Sequence, residues 1–373
     1  TTQELYSGLN ASGQNAFPNV NFDFGGVNNY LSRFFAAGFY YKMFMGIPPF
    51  EWGRGTRIWM FFEHFIRKAA GLGKSSRLPD PDCYEHKHTH TDVLVIGTGP
   101  AGLQAAISAA EAGKDVLIVE QDYAIGGSYL SQLDTLELET KIEALKKLRV
   151  TILTRTTAFG LYDDKTVGLV QVMPAKEHKT SSKKPRQQFN ICRAEQIILA
   201  TGAIERSYAF INNDLPGIMS VSAARTYLNR YNLLLSKNIV ISTNNDSAYE
   251  TAIELENAGA TITILDAREQ IGNKLLQQIA GLRINLYLGS GVVKAEKGLN
   301  TSSIGKIKLV EFANNKWRYA GSLSCDCLLI SAGWSPVIHL ASHQNFPINW
   351  NEENACFISS GDTKSVKKQK LLT

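Results

Sequence analysis

The sequence has few of the features that mark a disulfide-linked, secreted or membrane-spanning protein. It contains five cysteines among 373 residues, an odd number without CxxC spacing, which is typical of a reducing compartment. It has no run of about 20 apolar residues, the length needed to cross a bilayer. Its polar start lacks the basic and apolar regions of a signal peptide. We therefore expect a cytoplasmic chain without a membrane segment.

The charge and the motif content argue against several other functions. The net charge of +5 comes partly from a Lys-rich loop and a Lys-rich tail, so it gives little reason to expect a nucleic-acid partner. The sequence contains no nucleophile elbow, HExxH helix or P-loop, the motifs that would indicate hydrolytic or phosphoryl-transfer chemistry. A hydrophobic content of 44% and this length suit two or three packed domains.

Residues 1–90 are predicted to form an irregular N-terminal arm and linker, rich in aromatic residues, Met and Gly. A short helix is expected near residues 56–70. Its charges lie on both sides of its apolar residues instead of forming one basic face, so an arm packed across a neighbouring surface is favoured over a membrane-surface helix.

A strand, turn, helix and strand pattern begins at Asp92. The run DVLVIG is followed by TGPAGLQAAISAAEAG and then by KDVLIVEQD. Continuous apolar runs are typical of buried parallel strands, and the helix between them carries small residues where it meets the sheet. We assign residues 91–215 to the first part of a dinucleotide-binding domain built on this βαβ unit.

Gly97, Gly99 and Gly102 form a G-x-G-x-x-G turn between the strand and the helix. The first glycine permits the tight turn, the second lets a pyrophosphate approach the backbone, and the third lets helix and strand pack closely. The helix start, with Pro100 and Ala101, offers N–H groups and a partial positive charge to the phosphates. The pattern predicts a dinucleotide site, the alternative being a degenerate unit retained only for its fold.

Glu120 ends the second strand of the unit. A carboxylate there accepts hydrogen bonds from a ribose diol and disfavours a 2′-phosphate, so NAD or FAD is expected in place of NADP. Gly126 and Gly127 add a turn of the kind that lies beside an adenosine. Thr201 and Gly202 follow the strand of ILATG and are secondary contact candidates, the alternative being a plain strand-to-loop turn.

A second βαβ pattern follows Pro216, with the strand NIVIST, the helix DSAYETAIELENAG and the strand TITILDAR. It repeats the first unit, but residues 244–247 fill its turn with Asn, Asp and Ser side chains in place of glycines. We predict that residues 216–324 form an inserted, degenerate Rossmann-like domain. We expect no dinucleotide to bind there in the usual way, which leaves one nucleotide per chain.

Residues 325–373 are predicted to return to the first domain through the strand in CDCLLISAGWSP. The predicted fold class is therefore α/β, a two-domain Rossmann fold like that of the pyridine-nucleotide-disulfide reductases. Cys325 and Cys327 are expected to point to one face of that strand and to pack in the core.

His86, His88 and His90 alternate along an extended segment. Histidines spaced in this way can bind a metal, but no cluster of acids or cysteines completes such a site. A packed or solvated edge segment is favoured, and no metal is expected.

Several motifs spread along the chain carry a family resemblance. They are TTQELYSGLNASGQNAFPNVNFDFGG, PDPDCYEHKHTHTDVLVIGTGPAGLQAA, ATGAIERSYAFINNDLPGIMSVSAARTYL, TNNDSAYETA and ISAGWSPVIHLASH. Together they resemble the alpha subunits of heterotetrameric sarcosine oxidases. The subunits of opine oxidases and of dye-linked proline dehydrogenases share parts of this pattern.

The resemblance implies a multisubunit oxidoreductase acting on CH–NH groups, in which this chain supports the oxidative demethylation of sarcosine to glycine. In that family the alpha subunit binds NAD through the positions of Gly97, Gly99, Gly102 and Glu120. Sarcosine is oxidised at FAD in the beta subunit, and an FMN between alpha and beta passes electrons to oxygen, giving hydrogen peroxide. The implied partners are a beta subunit and smaller gamma and delta subunits. The chain itself is expected to carry no catalytic residue.

The sequence also departs from the family pattern. The N-terminal ferredoxin-like domain, the last strand and helix of the nucleotide domain and the C-terminal folate-binding domain are not found. Two other functions therefore stay open. One is a free-standing FAD-dependent NADH oxidoreductase, and the other is a truncated subunit without turnover.

Overall fold

The computed structural model describes most of the chain from residue 82 onward. The described residues are 23–24, 60–61, 63–65, 67, 77, 79–80, 82–174, 185–298, 303–313, 316–344, 346–359 and 371–372. Residues 84–173 and 185–373 belong to one compact unit, which holds all the elements named below. Of the helix predicted for residues 56–70, the described residues are helical. Most of the predicted N-terminal arm lies outside the described residues.

Strands and helices of this unit alternate in a pattern that repeats once. In chain order they are β1 (Tyr84–Ile96), α1 (Pro100–Glu111), β2 (Val116–Val119), α2 (Leu136–Lys147), β3 (Thr151–Leu153), β4 (Thr156–Tyr162), β5 (Thr166–Val172), β6 (Gln187–Leu199), β7 (Ala203–Glu205), β8 (Ile218–Ser220), α3 (Val221–Tyr231), β9 (Asn238–Thr243), α4 (Ser247–Asn257), β10 (Thr261–Asp266), α5 (Asn273–Ile279), β11 (Ile284–Tyr287), β12 (Ser290–Lys297), β13 (Ile304–Ala313), β14 (Lys316–Ser324), β15 (Cys327–Ser331), β16 (Trp334–Pro336), α6 (His339–Ser342), β17 (Ile348–Asn351), β18 (Cys356–Ser359) and β19 (Leu371–Leu372). No helix among the described residues is long and apolar enough to cross a membrane.

The first sheet has the strand order β3–β2–β1–β6–β5–β4, and β19 pairs with β6. Its β1–β2, β1–β6 and β2–β3 pairs are parallel, whereas β4, β5 and β6 form an antiparallel meander. Both faces of β1 are covered, which is why its second half reads as an unbroken apolar run. Val93 and Val95 pack toward α1 and α2. Leu94 and Ile96 pack on the other face against residues of β4, β5 and α6.

The second sheet is the parallel array β11–β10–β9–β15–β8. One face, with Ile239 and Ile241, packs against α3 and α4. The other face, with Val240 and Leu328, packs against the three-stranded antiparallel sheet β12–β13–β14. The successive residues of β9 thus enter two separate cores, as the period-2 geometry of a strand requires.

The predicted return strand is wrong. β15 does not join the first sheet but lies between β9 and β8 of the second, with Leu328 opposite both Val240 and Ile218. The second sheet therefore extends to Ser331, past the predicted boundary at residue 324. The first sheet receives β19, with Leu371 opposite Ile197, although no last strand was expected. An apolar run is equally suited to either parallel sheet, so its composition does not specify the neighbours.

The predicted boundary at residue 90 falls inside a strand. β1 begins at Tyr84 and pairs with β6 from Tyr84 opposite Gln187 to Ile96 opposite Leu199. The polar half of this strand has exposed histidines, so it lacks the apolar signal by which the second half is recognised. The segment counted as linker is therefore part of the central strand of the dinucleotide-binding domain.

Candidate dinucleotide-binding site

The predicted site residues meet at the carboxyl end of the first parallel sheet. Gly97 directly follows β1, Glu120 follows β2, and Thr201 lies two residues past β6. Because these strands are parallel neighbours, their ends lie side by side. This edge is where open α/β sheets bind ligands.

Two of the three turn glycines are required by close backbone contacts. A Cβ on Gly97, whose φ is +104°, would collide with the carbonyl oxygen of Ala200. A Cβ on Gly102 would collide with the carbonyl oxygen of Gly97. These contacts hold the turn between β6 and α1. The contact at Gly97 is the tight turn expected of the first glycine, and the contact at Gly102 is the close helix packing expected of the third.

Gly99 has a different environment from the other two. A Cβ placed on it would meet no atom within 4 Å, so the fold itself does not require glycine at this position. Gly99 is the N-cap of α1, a 12-residue helix that begins with Pro100 and has no side-chain cap or first-turn acid. The helix start therefore keeps N–H groups and its partial positive charge facing the open space, as a pyrophosphate site requires.

The Gly126–Gly127 turn packs directly on this glycine. Gly127 has a φ of +53°, and a Cβ on it would lie 2.7 Å from the Cα of Gly99. The residues Gly127–Ser131 then form a short 3-10 helix. The second glycine pair is thus a packing partner of the first turn, and it forms one wall of the open space beside Gly99.

A buried threonine connects the glycine turn with the acidic strand end. The Thr98 hydroxyl donates to Glu120 Oε2 at 2.5 Å and accepts from the N–H of Gly126 at 3.0 Å. The Thr98 N–H donates to the same carboxylate oxygen at 2.9 Å. Thr98 is fully buried. Sequence reasoning missed this residue, although its place between Gly97 and Gly99, at the x of G-x-G, could have indicated it.

The other oxygen of the Glu120 carboxylate points to the loop that follows β2. Glu120 Oε1 accepts from the N–H of Asp122 at 2.9 Å. Asp122 in turn accepts two hydrogen bonds from the guanidinium of Arg230, at 2.7 and 2.9 Å. Burial raises the pKa of Asp122, but the hydrogen bonds from Arg230 and from the N–H of Ala124 outweigh it, so the pKa lies below its usual value. Asp122 is therefore a carboxylate at neutral pH.

Thr201 and Gly202 are held by the segment after β16. The Thr201 hydroxyl donates to the carbonyl oxygen of Val337 at 2.6 Å, and the Val337 N–H donates to the carbonyl oxygen of Gly202 at 2.9 Å. Gly202 has a φ of +70° and no atom within 4 Å of a Cβ position. Gly202 thus leaves space beside the site, whereas the Thr201 hydroxyl already has an internal partner.

The corresponding turn of the second βαβ unit is filled. Asn245 donates to the carbonyl and hydroxyl oxygens of Ser331 at 3.2 and 3.0 Å. The Ser247 hydroxyl donates to Asn245 at 2.6 Å and accepts from the indole N–H of Trp334 at 3.0 Å. These side chains occupy the N-terminus of α4, where a second pyrophosphate would lie.

The acid of the second unit is also fully engaged. Asp266 ends β10, as Glu120 follows β2, and its side chain is buried. It accepts from the Tyr249 hydroxyl at 2.7 Å and from two nitrogens of the Arg268 guanidinium. Burial and this hydrogen bond raise the pKa of Tyr249 above its usual value, so the phenol stays a donor. The arrangement supports the prediction that no dinucleotide binds here in the usual way.

All five cysteines are free thiols, and only Cys83 is exposed. Cys325 and Cys327 are buried in two different hydrophobic clusters, on opposite sides of the second sheet. The expectation that they share a face is wrong, because β15 begins only at Cys327. Burial raises the pKa of Cys325 to about 12 and that of Cys327 to about 11, so neither is a thiolate at neutral pH.

The three histidines of β1 are exposed. No group of three or more His, Cys, Asp or Glu side chains that could hold a metal ion occurs in the part of the chain that the structure describes. The ring of His86 lies 5.5 Å from that of Phe189 in β6. The segment is an exposed, paired strand.

Comparison with known proteins agrees with this geometry. The family model described as pyridine nucleotide-disulphide oxidoreductase matches residues 91–359. The chain belongs to this family. L-proline dehydrogenase from P. horikoshii has a similar fold, with a TM-score of 0.55 at 20% identity over 77% of this chain and 51% of that chain. The predicted two-domain Rossmann fold class is confirmed.

The resemblance to sarcosine oxidase alpha subunits is confirmed as well. The chain is 37% identical to sarcosine oxidase subunit alpha of Rhizobium meliloti (strain 1021), over 98% of this chain and 36% of that protein. It is 33% identical to sarcosine oxidase subunit alpha of Corynebacterium sp. (strain U-96), over 78% of this chain and 31% of that protein. The chain thus spans about a third of the length of these relatives. Its family and relatives support an oxidoreductase role, with FAD or NAD(P) as the class of cofactor.

The buried Thr98 hydroxyl is expected to stabilise the glycine-turn domain of this oxidoreductase. Thr98→Val keeps the shape of the side chain but leaves Glu120 Oε2 and the Gly126 N–H with one partner fewer. It should lower the free energy of unfolding by about 1–3 kcal/mol, the cost of unsatisfied buried groups. Urea denaturation measures this loss. Thr98→Ser retains the hydroxyl and is the matched control, and equal midpoints for Val and the parent would contradict the assignment.

The thiols give a second test of the described packing. Cys83 is exposed and the other four are buried, so a thiol-reactive dye at pH 8 should label one cysteine rapidly in the folded protein and five after denaturation. Cys83→Ser should remove the rapid phase. A rapid phase of two thiols that disappears on mild oxidation would instead indicate a redox-active pair.

Proposed function

We propose that this chain is the dinucleotide-binding part of a sarcosine oxidase alpha-type subunit and that it holds one NAD. The observation that carries the proposal is the open position at Gly99. The fold requires glycine at Gly97 and Gly102 for backbone packing, but at Gly99 no atom lies within 4 Å of a Cβ. Glycine at this position leaves room for a ligand that approaches the backbone, as a pyrophosphate does.

The other predicted residues surround this space with the groups a dinucleotide needs. Pro100, Ala101 and Gly102 start the helix. Pro100 has no N–H, so the backbone N–H groups that follow it in the first turn would bind the phosphates. Glu120 would accept from a ribose hydroxyl, and its charge disfavours a 2′-phosphate. Gly127 and Gly202 flank the site. When bound, the nicotinamide or flavin supplies the redox chemistry, and the residues here bind and orient it.

The proposal includes one nucleotide per chain. In the second unit, Asn245, Ser247 and Trp334 cover the start of α4, and Asp266 is bound by Arg268. A free-standing NADH oxidoreductase of this fold would use the second domain for its pyridine nucleotide. The filled turn therefore favours a subunit over a self-contained reductase.

The activity of the assembly is the broader part of the proposal. The relatives are named as alpha subunits of sarcosine oxidase, which supports the presence of other subunits. The proposed partners are beta-, gamma- and delta-type subunits, and neither a nucleic acid nor a membrane is proposed as a partner. The assembly would demethylate sarcosine oxidatively to glycine and reduce oxygen to hydrogen peroxide, with an FMN at the interface with the beta subunit. This chain would be active only within such a complex.

Mass spectrometry of the nucleotide released from the purified chain tests the proposal. We expect NAD in a ratio of about one per chain. Tightly bound FAD in place of NAD would overturn the NAD assignment and favour the flavin reductase alternative. Two NAD per chain would contradict the prediction that the second βαβ unit binds no dinucleotide. A peroxide assay with sarcosine, after co-expression with a beta-type subunit, separates a working subunit from one without turnover.

Gly99→Ala should remove nucleotide retention while leaving the fold intact. Its methyl group meets no protein atom within 4 Å and would occupy the approach of the pyrophosphate. We expect the dissociation constant for NAD to increase at least tenfold, which corresponds to a loss of about 1.4 kcal/mol in binding free energy. The melting temperature should not change.

Gly272→Ala is the matched control for Gly99→Ala. Gly272 is also an N-cap with an ordinary φ, −64° against −66°, and it also has no atom within 4 Å of a Cβ. It lies at the start of α5 in the second domain. Parental affinity in Gly99→Ala, or an equal loss in both variants, would refute the placement of the pyrophosphate.

A further inference from the structure

The helix α3 of the second domain reaches the glycine-turn domain at two points. Arg230 binds both carboxylate oxygens of Asp122, in the loop after β2. One turn earlier, the Thr226 hydroxyl lies 2.9 Å from that of Ser131. Asn229, the residue before Arg230, donates to the carbonyl oxygen of Ser131 at 2.9 Å. Both contacted segments adjoin the dinucleotide site, because Asp122 follows Glu120 by two residues and Ser131 ends the 3-10 helix that starts at Gly127.

These contacts continue into the site as a chain of hydrogen bonds. Arg230 holds the Asp122 side chain, and the Asp122 N–H donates to Glu120 Oε1. Glu120 Oε2 accepts from Thr98, whose hydroxyl accepts from the N–H of Gly126. Both oxygens of the Glu120 carboxylate are thereby fixed, and the loop that fixes one of them is anchored by a residue of the other domain.

We propose that Arg230 is a positioning residue for the ribose of the bound dinucleotide, and that the second domain braces the first site in place of binding a nucleotide itself. The inference rests on the proposed function. Its geometric basis is that the Asp122 loop and the Gly126–Ser131 turn, which form two sides of the site, both end on α3. A hydrogen-bonded network of this kind transmits the loss of one member to its neighbours.

The charge of Arg230 adds to its geometric effect. The guanidinium lies 4.7 Å from the centre of the Tyr123 ring and forms a two-point contact with Asp122, the arrangement in which Arg holds a carboxylate most firmly. Without Arg230, Asp122 would keep the hydrogen bond from the N–H of Ala124 but lose the ion pair with Arg230, two residues from Glu120. Two adjacent anions repel each other and would repel the phosphates of a dinucleotide.

A second arginine of α3 provides a matched control. Arg225 binds Glu254 and Glu250 of α4, inside its own domain. The side chains of Arg225 and Arg230 are 17% and 15% exposed, so both arginines are largely buried ion-pair residues on one helix. Arg230 contacts the glycine-turn domain directly through its ion pair. Arg225 reaches that domain only indirectly, because its partner Glu254 also accepts from Asn229, which donates to Ser131.

The experiment compares three variants of the full chain. They are Arg230→Ala, Arg225→Ala and a double variant that exchanges the ion pair, Asp122→Arg together with Arg230→Asp. Calorimetric titration measures the affinity for NAD and for its 2′-deoxyadenosine analogue. We expect Arg230→Ala to weaken NAD binding about tenfold, within the range for coupled residues of one network. Binding of the deoxy analogue should weaken less, because the analogue lacks the ribose hydroxyl that would donate to Glu120. Arg225→Ala should lower the melting temperature but weaken NAD binding less than Arg230→Ala does, because Arg225 reaches the turn only through Glu254 and Asn229 and makes no contact with the Asp122 loop. The exchanged pair should recover part of the lost affinity.

Three results would overturn the inference while leaving the proposed function in place. They are parental NAD affinity in Arg230→Ala, equal losses in the two alanine variants, and equal losses for NAD and the deoxy analogue. If the parent binds FAD and not NAD, the NAD assignment fails, and the same comparison is made with FAD, whose adenosine ribose is identical. A parent that binds neither nucleotide overturns the proposed function and the inference together.

Discussion

The close contact of backbone with backbone at the glycine turn is the constraint on which the rest of the site depends. Gly97 lies against the carbonyl of Ala200, Gly102 against Gly97, and Gly127 against the Cα of Gly99. Because these positions carry no side chain, the backbone segments can approach one another closely. The segments in contact are the ends of β1 and β6, the start of α1 and the turn after β2. The result is an unfilled position beside Gly99 that faces the start of a helix. Close backbone packing determines this open position, and the helix N-terminus beside it favours a negative charge.

The two βαβ units share one architecture but differ in the side chains at their strand ends. In the first, a carboxylate follows the second strand and contacts backbone N–H groups of the glycine turn and of its own loop. In the second, the carboxylate of Asp266 is neutralised by Arg268 and capped by Tyr249. An acid already paired with a guanidinium offers a ribose little, because the hydroxyl would have to displace a charge-assisted hydrogen bond. The fold is shared, and the side chains at the strand ends decide whether a ligand can enter.

Much of this arrangement could be predicted from the sequence. The glycine spacing, the apolar run before it and Glu120 after the next strand specify the turn, because each residue type has a local steric or electrostatic reason. The sheet to which β15 belongs could not be predicted in this way. Leu328 and Leu329 are apolar because both faces of β15 are buried, and that is equally true of a strand in either sheet. The polar half of β1 was missed for the converse reason, since its exposed histidines give no apolar signal, although every residue from Tyr84 to Thr91 has a partner on β6.

The roles of Thr98 and Arg230 were missed for a different reason, although the place of Thr98 inside the G-x-G turn was a signal for that residue. Their roles are set by partners 22 and 108 residues away, and a threonine in a turn or an arginine in a helix has many ordinary explanations. The structure distinguishes Arg230 from Arg225 by partner alone, since one binds across the two domains and the other binds within its own. On the proposed function, a domain that has filled its own turn would still contribute to the nucleotide site of the other domain in this way. Its helix α3 supplies the fixed surface against which the loop after β2 and the turn at Gly126 are held, and the carboxylate between them is fixed as a consequence.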